Sequence, residues 1–303
     1  MPKSQTSKPL DNLKNSLDDR ILYPWQYLEY LGEDDRTFIE KSEGIYLFDK
    51  TGRKLIDGPG GMWNVNVGHG VKEIADAVYA QIRSMPYASP FTESTEIAYN
   101  YASRLVKYAP GDLKRVFFTS GGSAAVDSAL RFVMFYNNVR GLRDKKQIIS
   151  RHDAYHGSTY LGASCSGKER DKNNFDFAND IVHHLSSPNP FRKPDDMSDE
   201  DFCDLKVKEL EDKIIELGPE KVAAFIAEPI LASGGVIVPP RGYQKKTLEV
   251  CRKYDVIYIS DEIVTGFGRL GHIFASENYF DIQPDIILLA KGITSGYVPC
   301  GAV

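Results

Sequence analysis

The sequence predicts an α/β protein with a mostly parallel central sheet flanked by helices, and three observations carry that expectation. Short apolar runs recur from Arg115 onward, at Val116–Phe118, Gln147–Ile149, Val222–Ala227, Val256–Ile259 and Ile286–Leu289. Stretches of helical period separate them, the alternation that builds a parallel sheet. The runs are also continuously apolar rather than alternating, as strands covered on both faces are.

The elements follow in order. Residues 1–20 form a polar arm mixing Lys3, Lys8, Lys14 and Arg20 with Asp11, Asp18 and Asp19, unlike a secretory or organellar leader. Ile21–Leu31 predicts a short helix. From Thr37 to Ile56, short β-prone pieces alternate with the turn signals Glu43-Gly44 and Thr51-Gly52, predicting a small meander. Helical period returns near 71–84 and 93–108. After Ser123, apolar residues at Val126, Ala129, Leu130, Val133 and Met134 mark one buried helix face, with Ser123 as its N-cap. The Pro-, Asp- and Ser-rich segment Ser186–Glu200 reads as a surface excursion. Residues 1–70 are thus expected to hold the arm and part of a small α+β segment, and 71–303 a large α/β domain.

Composition narrows the function. The chain has 303 residues, 42% of them hydrophobic, enough for one large domain and part of another. With 37 Lys and Arg against 42 Asp and Glu, the net charge is −5, and no positive field favours nucleic acid as a partner. The four cysteines, Cys165, Cys203, Cys251 and Cys300, form no C-x-x-C, so neither zinc nor a disulfide framework is signalled. No run approaches the roughly 18 apolar residues that span a bilayer. A soluble, cytoplasmic protein acting on small molecules, without metal, nucleic acid or membrane, is the expectation.

In open α/β sheets ligands bind beyond the carboxyl ends of the strands, and here those positions are polar. Val116–Phe118 leads into Thr119-Ser120-Gly121-Gly122-Ser123, Val222–Ala227 into Glu228, Val256–Ser260 into Asp261, and Ile286–Ala290 into Lys291. Glycines before a helix let backbone amides approach a phosphate, and the helix dipole favours its charge. A lysine at the end of a buried strand loses hydration, which lowers its pKa and leaves an amine able to attack a carbonyl. Each feature alone also suits a bland role: a capped glycine turn, a solvated lysine, Asp261-Glu262 as a salt-bridged pair, Glu228-Pro229 as a strand terminator. Together, a phosphate cradle, an acid for a ring nitrogen and a lysine for a Schiff base are what pyridoxal 5'-phosphate (PLP) requires.

These residues resemble a known family, the class III (ornithine and ω-amino-acid type) aminotransferases of PLP fold type I. Phe118 to Asp127 resembles its phosphate-binding turn, Tyr155-His156-Gly157 its ring-stacking segment, and Asp261-Glu262-Ile263-Val264-Thr265-Gly266-Phe267-Gly268-Arg269 through Lys291-Gly292 its signature. The resemblance runs from about Gly44 to the last residue. It implies that Lys291 carries PLP covalently and shuttles the reacting proton. Asp261 would pair with the pyridine nitrogen, and Gly121, Gly122 and Ser123 would hold the phosphate. Tyr155 and Ile263 would sandwich the ring, Glu228 would support its polar edge, and Trp63 would line the substrate pocket with Tyr155.

Two departures from the ornithine and GABA types, Ser233 at the end of the motif opened by Glu228-Pro229 and Val264 after the aspartate, resemble the amine:pyruvate branch. The implied reaction moves an amino group from an amine or ω-amino acid to a 2-oxo acid such as pyruvate, in a homodimer. A PLP aminomutase or decarboxylase, or a truncated and catalytically silent subunit, are the alternatives. The family's chains continue with the sheet's remaining strand, a long helix and a C-terminal small domain, so a chain ending at Val303 is expected to be C-terminally truncated, with exposed apolar surface and poor solubility.

Two further motifs are set aside. Gly266-Phe267-Gly268-Arg269-Leu270-Gly271 fits G-x-G-x-x-G, but Asp261-Glu262 intervenes after the strand and Ile273–Phe280 makes a poor following helix. His183-His184 are adjacent on an expected strand, so they point to opposite faces and read as satisfied strand histidines rather than ligands.

Overall fold

The computed structural model describes residues 21–26 and 36–303. It divides into two compact units, Met1–Ile56 and Asp57–Val303. The division therefore falls before residues 57–70, which the sequence reading grouped with the N-terminal part. Hydrogen bonds give the reason. Asn66 Nδ2 donates to the Phe267 carbonyl (2.9 Å), Val67 N–H to Ser295 Oγ (3.0 Å) and Val71 N–H to the Tyr297 hydroxyl (2.8 Å).

In the first unit, Tyr23 to Gln26 form a turn rather than the start of a helix, and the rest of the expected Ile21–Leu31 helix lies outside the described residues. The meander is present as β1 (Ile39–Glu43), β2 (Tyr46–Asp49) and β3 (Lys54–Ile56), joined in antiparallel order. Asp49 organises its second turn, accepting from Thr51 and Arg53 backbone N–H groups and from Arg53 Nε. These donors, led by the Thr51 hydroxyl, hold the Asp49 carboxyl at a pKa of about 2.

In the second unit a kinked helical turn at Gly60–Trp63 precedes α1 (Lys72–Ser84) and α2 (Glu96–Tyr108), the latter capped by Thr95 accepting from Ala98 N–H. Then come β4 (Phe118–Thr119), α3 (Gly122–Val139), β5 (Gln147–Arg151), the short α4 (Tyr160–Cys165), β6 (Val182–Leu185) and α5 (Asp199–Leu217). β7 (Val222–Ala227), α6 (Tyr243–Lys253), β8 (Ile257–Asp261), the one-turn α7 (Ala275–Asn278), β9 (Ile286–Leu288) and β10 (Gly301–Ala302) complete it. Strands β6-β5-β7-β8-β9 lie in that order and are all parallel.

The sheet does not stop at β9. Leu289 and Ala302 exchange N–H···O bonds of 2.9 and 2.8 Å, and Phe117 and Val303 exchange bonds of 2.9 and 3.0 Å. β10 thereby sits antiparallel between β9 and β4. The sheet's remaining strand was expected beyond Val303, yet Gly301–Ala302 already form a strand paired on both sides.

Both faces of the sheet are covered, which is why the strands read as continuous apolar runs. Ala125, Val126, Ala129, Leu130 and Val133 of α3 pack with Ile148, Ala224, Ile226, Ile259 and Leu288 on one face. Leu210 and Ile214 of α5 and Cys251 of α6 pack with Ile149, Phe225, Ala227 and Tyr258 on the other. All six β7 residues are buried. Among the described residues, no helix is long and apolar enough to cross a membrane. An apolar cavity of about 560 Å³, lined by Leu105, Leu113, Phe117, Phe132, Ile286 and Val303, opens beside β4 and β9.

Candidate active site

The parallel sheet delivers three ionisable side chains to one rim. Glu228 follows β7, Asp261 ends β8 and Lys291 follows β9 by three residues. Lys291 sits at φ 50°, the left-handed region that a side chain with a Cβ rarely occupies. Burial pushes its pKa down, while the Asp261 and Glu228 carboxylates pull it back up. The amine is therefore easier to deprotonate than an ordinary lysine, yet it keeps two carboxylates as neighbours. Its Nζ lies 6.0 Å from the centroid of the Trp63 ring.

Asp261 is buried (3% exposed) and its Oδ2 lies 2.7 Å from Nδ1 of His156, itself fully enclosed. Its Oδ1 accepts from Ile263 N–H at 3.1 Å. Nε2 of His156 is buried with no hydrogen-bond partner. Glu228 is equally enclosed: Oε1 accepts from Tyr155 N–H (2.9 Å) and Oε2 from Ala232 N–H (3.0 Å). Burial raises the Glu228 pKa, and the proximity of Asp261 adds to that, against the opposing pull of His156, the Tyr155 amide and Arg151. The carboxylate thus staples the Tyr155 segment to the loop after β7, and Tyr155, Ile263 and Trp63 gather around the same rim.

The glycine turn meets them at the start of α3. The N-cap is Gly121 and not Ser123, the residue expected from the apolar spacing. Ser123 lies inside the first turn and its Oγ accepts from Ser158 N–H at 3.0 Å. Gly157 approaches so closely that a Cβ there would lie 2.6 Å from Ser123 Oγ. A Cβ at Gly122 would meet Ile263 Cδ1 at 3.0 Å and Ala290 Cβ at 3.4 Å, whereas one at Gly121 would meet nothing within 4 Å. The turn is backed against the strand ends and open in front. First-turn amides of the 18-residue helix have no carbonyl within the helix to bond, so this open side offers free donors that suit an anion.

PLP fits the residues present. It needs an anion cradle, a fixed carboxylate and a lysine whose ammonium is disfavoured, and the turn, the His156-braced Asp261 and the desolvated Lys291 meet those needs. Some contributors went unassigned in the sequence. His156 was read only as part of the ring-stacking segment, although a histidine two residues before the Ser158-Thr159 turn is a polar group in a buried stretch. Glu262 is fully buried and accepts from Ala275 N–H, Ser276 N–H, Ser276 Oγ and Thr265 Oγ1. It caps α7 and, among the described residues, forms no ion pair with a basic group, so the salt-bridge reading does not hold for Glu262, whereas Asp261 pairs with His156.

The set-aside motifs resolve likewise. Phe267 N–H bonds the Ile273 carbonyl and Gly268 N–H the His272 carbonyl, so Gly266–Gly271 is a tight hairpin loop leading only to the four-residue α7. His183 Nε2 lies 2.6 Å from Gln147 Oε1, and His184 Nε2 lies 3.2 Å from the Cys165 carbonyl.

Comparison with known proteins agrees in kind. The family model described as Aminotransferase class-III matches residues 31–303. Putrescine–pyruvate aminotransferase of Pseudomonas aeruginosa is 40% identical over 286 residues, covering 94% of the chain and 62% of that protein. The mitochondrial gamma-aminobutyrate transaminase 1 of Oryza sativa subsp. indica is 39% identical over 269 residues, 88% of the chain and 52% of its own length. A thermostable omega transaminase from Pseudomonas jessenii, solved as a 6-fold mutant, superposes with a TM-score of 0.93 at 38% identity, over 96% of the chain and 64% of its own. The chain therefore spans about half to two thirds of the length of these relatives.

Proposed function

The chain belongs to the class III aminotransferases, and on that premise we propose that it is a PLP-dependent transaminase moving an amino group from an amine or ω-amino acid to a 2-oxo acid such as pyruvate. The observation that carries the reading is the convergence of Lys291, Asp261 and Glu228 with the N-terminus of α3. The whole protein is proposed to be cytoplasmic and to work as a homodimer.

When bound, PLP supplies an electron sink that makes the proton on the amino-bearing carbon removable. The residues supply the rest. Gly121, Gly122 and Ser123 hold the phosphate through backbone amides and the helix dipole. Asp261, fixed by His156, keeps negative charge at the ring nitrogen so that it stays protonated. Tyr155 and Ile263 flank the ring, and Glu228 holds the Tyr155 backbone in place. Lys291 Nζ would hold the cofactor covalently at rest and, once the donor's amino group has displaced it, the freed amine would be placed to take the proton from the substrate carbon, as its lowered pKa suits. Trp63 lines the pocket. The donor leaves as a carbonyl compound and the acceptor leaves as an amino acid in a second half-reaction.

Incubating the chain with PLP, pyruvate and putrescine, and measuring alanine by chromatography, tests this reading. Alanine formed in proportion to carbonyl product, and lost in Lys291→Ala, is the expected result. Release of carbon dioxide, or rearranged donor without alanine, would contradict it.

A further inference from the structure

Lys168 belongs to no motif that the reaction uses, yet its side chain is only 9% exposed. Lysines are seldom buried without partners, and this one joins three segments around the candidate site. Its Nζ lies 5.6 Å from the centroid of the Tyr155 ring. It donates to Ser233 Oγ at 2.9 Å and pairs with Asp171 Oδ2 at 3.1 Å.

Those segments are already packed tightly. Gly167 N–H bonds the Ala154 carbonyl and Asp153 N–H the Gly167 carbonyl, which fixes Lys168 beside Tyr155. A Cβ at Gly234 would lie 2.5 Å from the Asp153 carbonyl oxygen, so the loop after β7 rests directly on the same strip of backbone. Ala154, Leu231 and Ile237 form a small buried cluster beneath the contact. Ser233 is also one of the two positions, with Val264, at which the resemblance to the ornithine and GABA types breaks.

We propose that Lys168 is a positioning residue that clamps the Tyr155 ring and the Glu228–Ser233 loop into one unit. Its ammonium is drawn to the Tyr155 ring by the ring quadrupole. Through Ser233 the same group anchors the loop whose Ala232 amide Glu228 accepts. The Glu228 carboxylate then spans two segments that Lys168 has already tied together. The inference rests on the reading that Tyr155 faces PLP, because only then does the clamp set the cofactor's affinity.

The test uses Lys168→Met and Lys168→Arg in the full chain. Amide hydrogen exchange without cofactor reads the clamp directly. Exchange at Tyr155 and Ala232 is expected to accelerate about tenfold in Lys168→Met relative to Phe225 of β7, and to return near the unsubstituted rate in Lys168→Arg. PLP dissociation constants from fluorescence titration are expected to weaken about tenfold in Lys168→Met and be largely restored in Lys168→Arg. Unchanged exchange at both amides in Lys168→Met would overturn the proposal. If Lys168→Met accelerates Phe225 as well, Ser233→Ala replaces it: faster exchange at Ala232 alone supports the clamp, and no change overturns it. A chain that binds no PLP defeats the functional reading, while the exchange comparison still decides the clamp.

Discussion

At the residue scale the account rests on how burial and neighbours set charge. Burial of the Lys291 side chain moves its pKa below the ordinary 10.5. Between the lowered value and 10.5 the unfolded chain binds more protons than the folded one, so stability rises with pH through that window. Lys291→Met is expected to flatten that part of the profile and to be more stable than the unsubstituted chain below it. Urea unfolding at several pH values would measure this. A parallel profile in Lys291→Met would mean the amine is solvated. The His156 and Asp261 pair yields a second expectation. His156→Leu leaves the Oδ2 atom of a buried carboxylate without its partner, which costs about 1–3 kcal/mol. A stability change under about 0.5 kcal/mol would indicate an exposed pair.

Residue identities at strand ends were legible because a strand that is apolar throughout makes its first polar follower conspicuous. Lys291, Asp261 and Glu228 were found that way. Partners brought together from distant sequence were not. His156 and Asp261 are 105 residues apart, and nothing local to either sequence position announces the contact. Lys168 was hidden for the same reason, since its partners Ser233 and Tyr155 lie on other segments.

At the element scale, period and turn chemistry gave the meander, α1, α2 and four of the five parallel strands close to where they lie; β6 was not among the apolar runs, and the run Val116–Phe118 became β4, paired antiparallel with β10. Ends were less legible. α3 starts at Gly122 with Gly121 as its cap, because Ser123 is recruited by Ser158 and cannot also cap. β10 is two residues long and paired on both sides, too short to show any period. Its closeness to the glycine turn has a consequence. A Cβ at Gly301 would lie 2.6 Å from the Gly121 carbonyl oxygen, so Gly301→Ala is expected to shift the turn and weaken PLP binding about tenfold, roughly 1.4 kcal/mol. Fluorescence titration checks it, and an unchanged affinity would separate β10 from the cradle. In the core, Leu130→Ala on α3 is expected to cost about 2–5 kcal/mol in a denaturation curve, since Leu130 is fully buried against the sheet.

At the scale of the whole molecule, the sheet, the helix N-terminus and the loops form a site only when all are folded, so ligand binding and stability are linked. PLP at a hundred times its dissociation constant is expected to stabilise the chain by about 2.7 kcal/mol, seen as a rise in thermal midpoint. No rise would mean that the folded chain has no affinity beyond that of the unfolded one. The parallel architecture was legible from the sequence. The boundary at Ile56 was not, because residues 57–70 are tied in by side chains of Asn66, Ser295 and Tyr297 that no local pattern couples.

The most direct measurement is covalent trapping. The purified chain is incubated with PLP, reduced with borohydride, digested and mapped by mass spectrometry. A single phosphopyridoxyl mark on Lys291, absent from Lys291→Ala and weakened by Asp261→Asn, is the predicted result. A folded chain that carries no mark, or carries it on surface lysines in the same amount with and without Lys291, would contradict the placement of the chemistry at the end of β9.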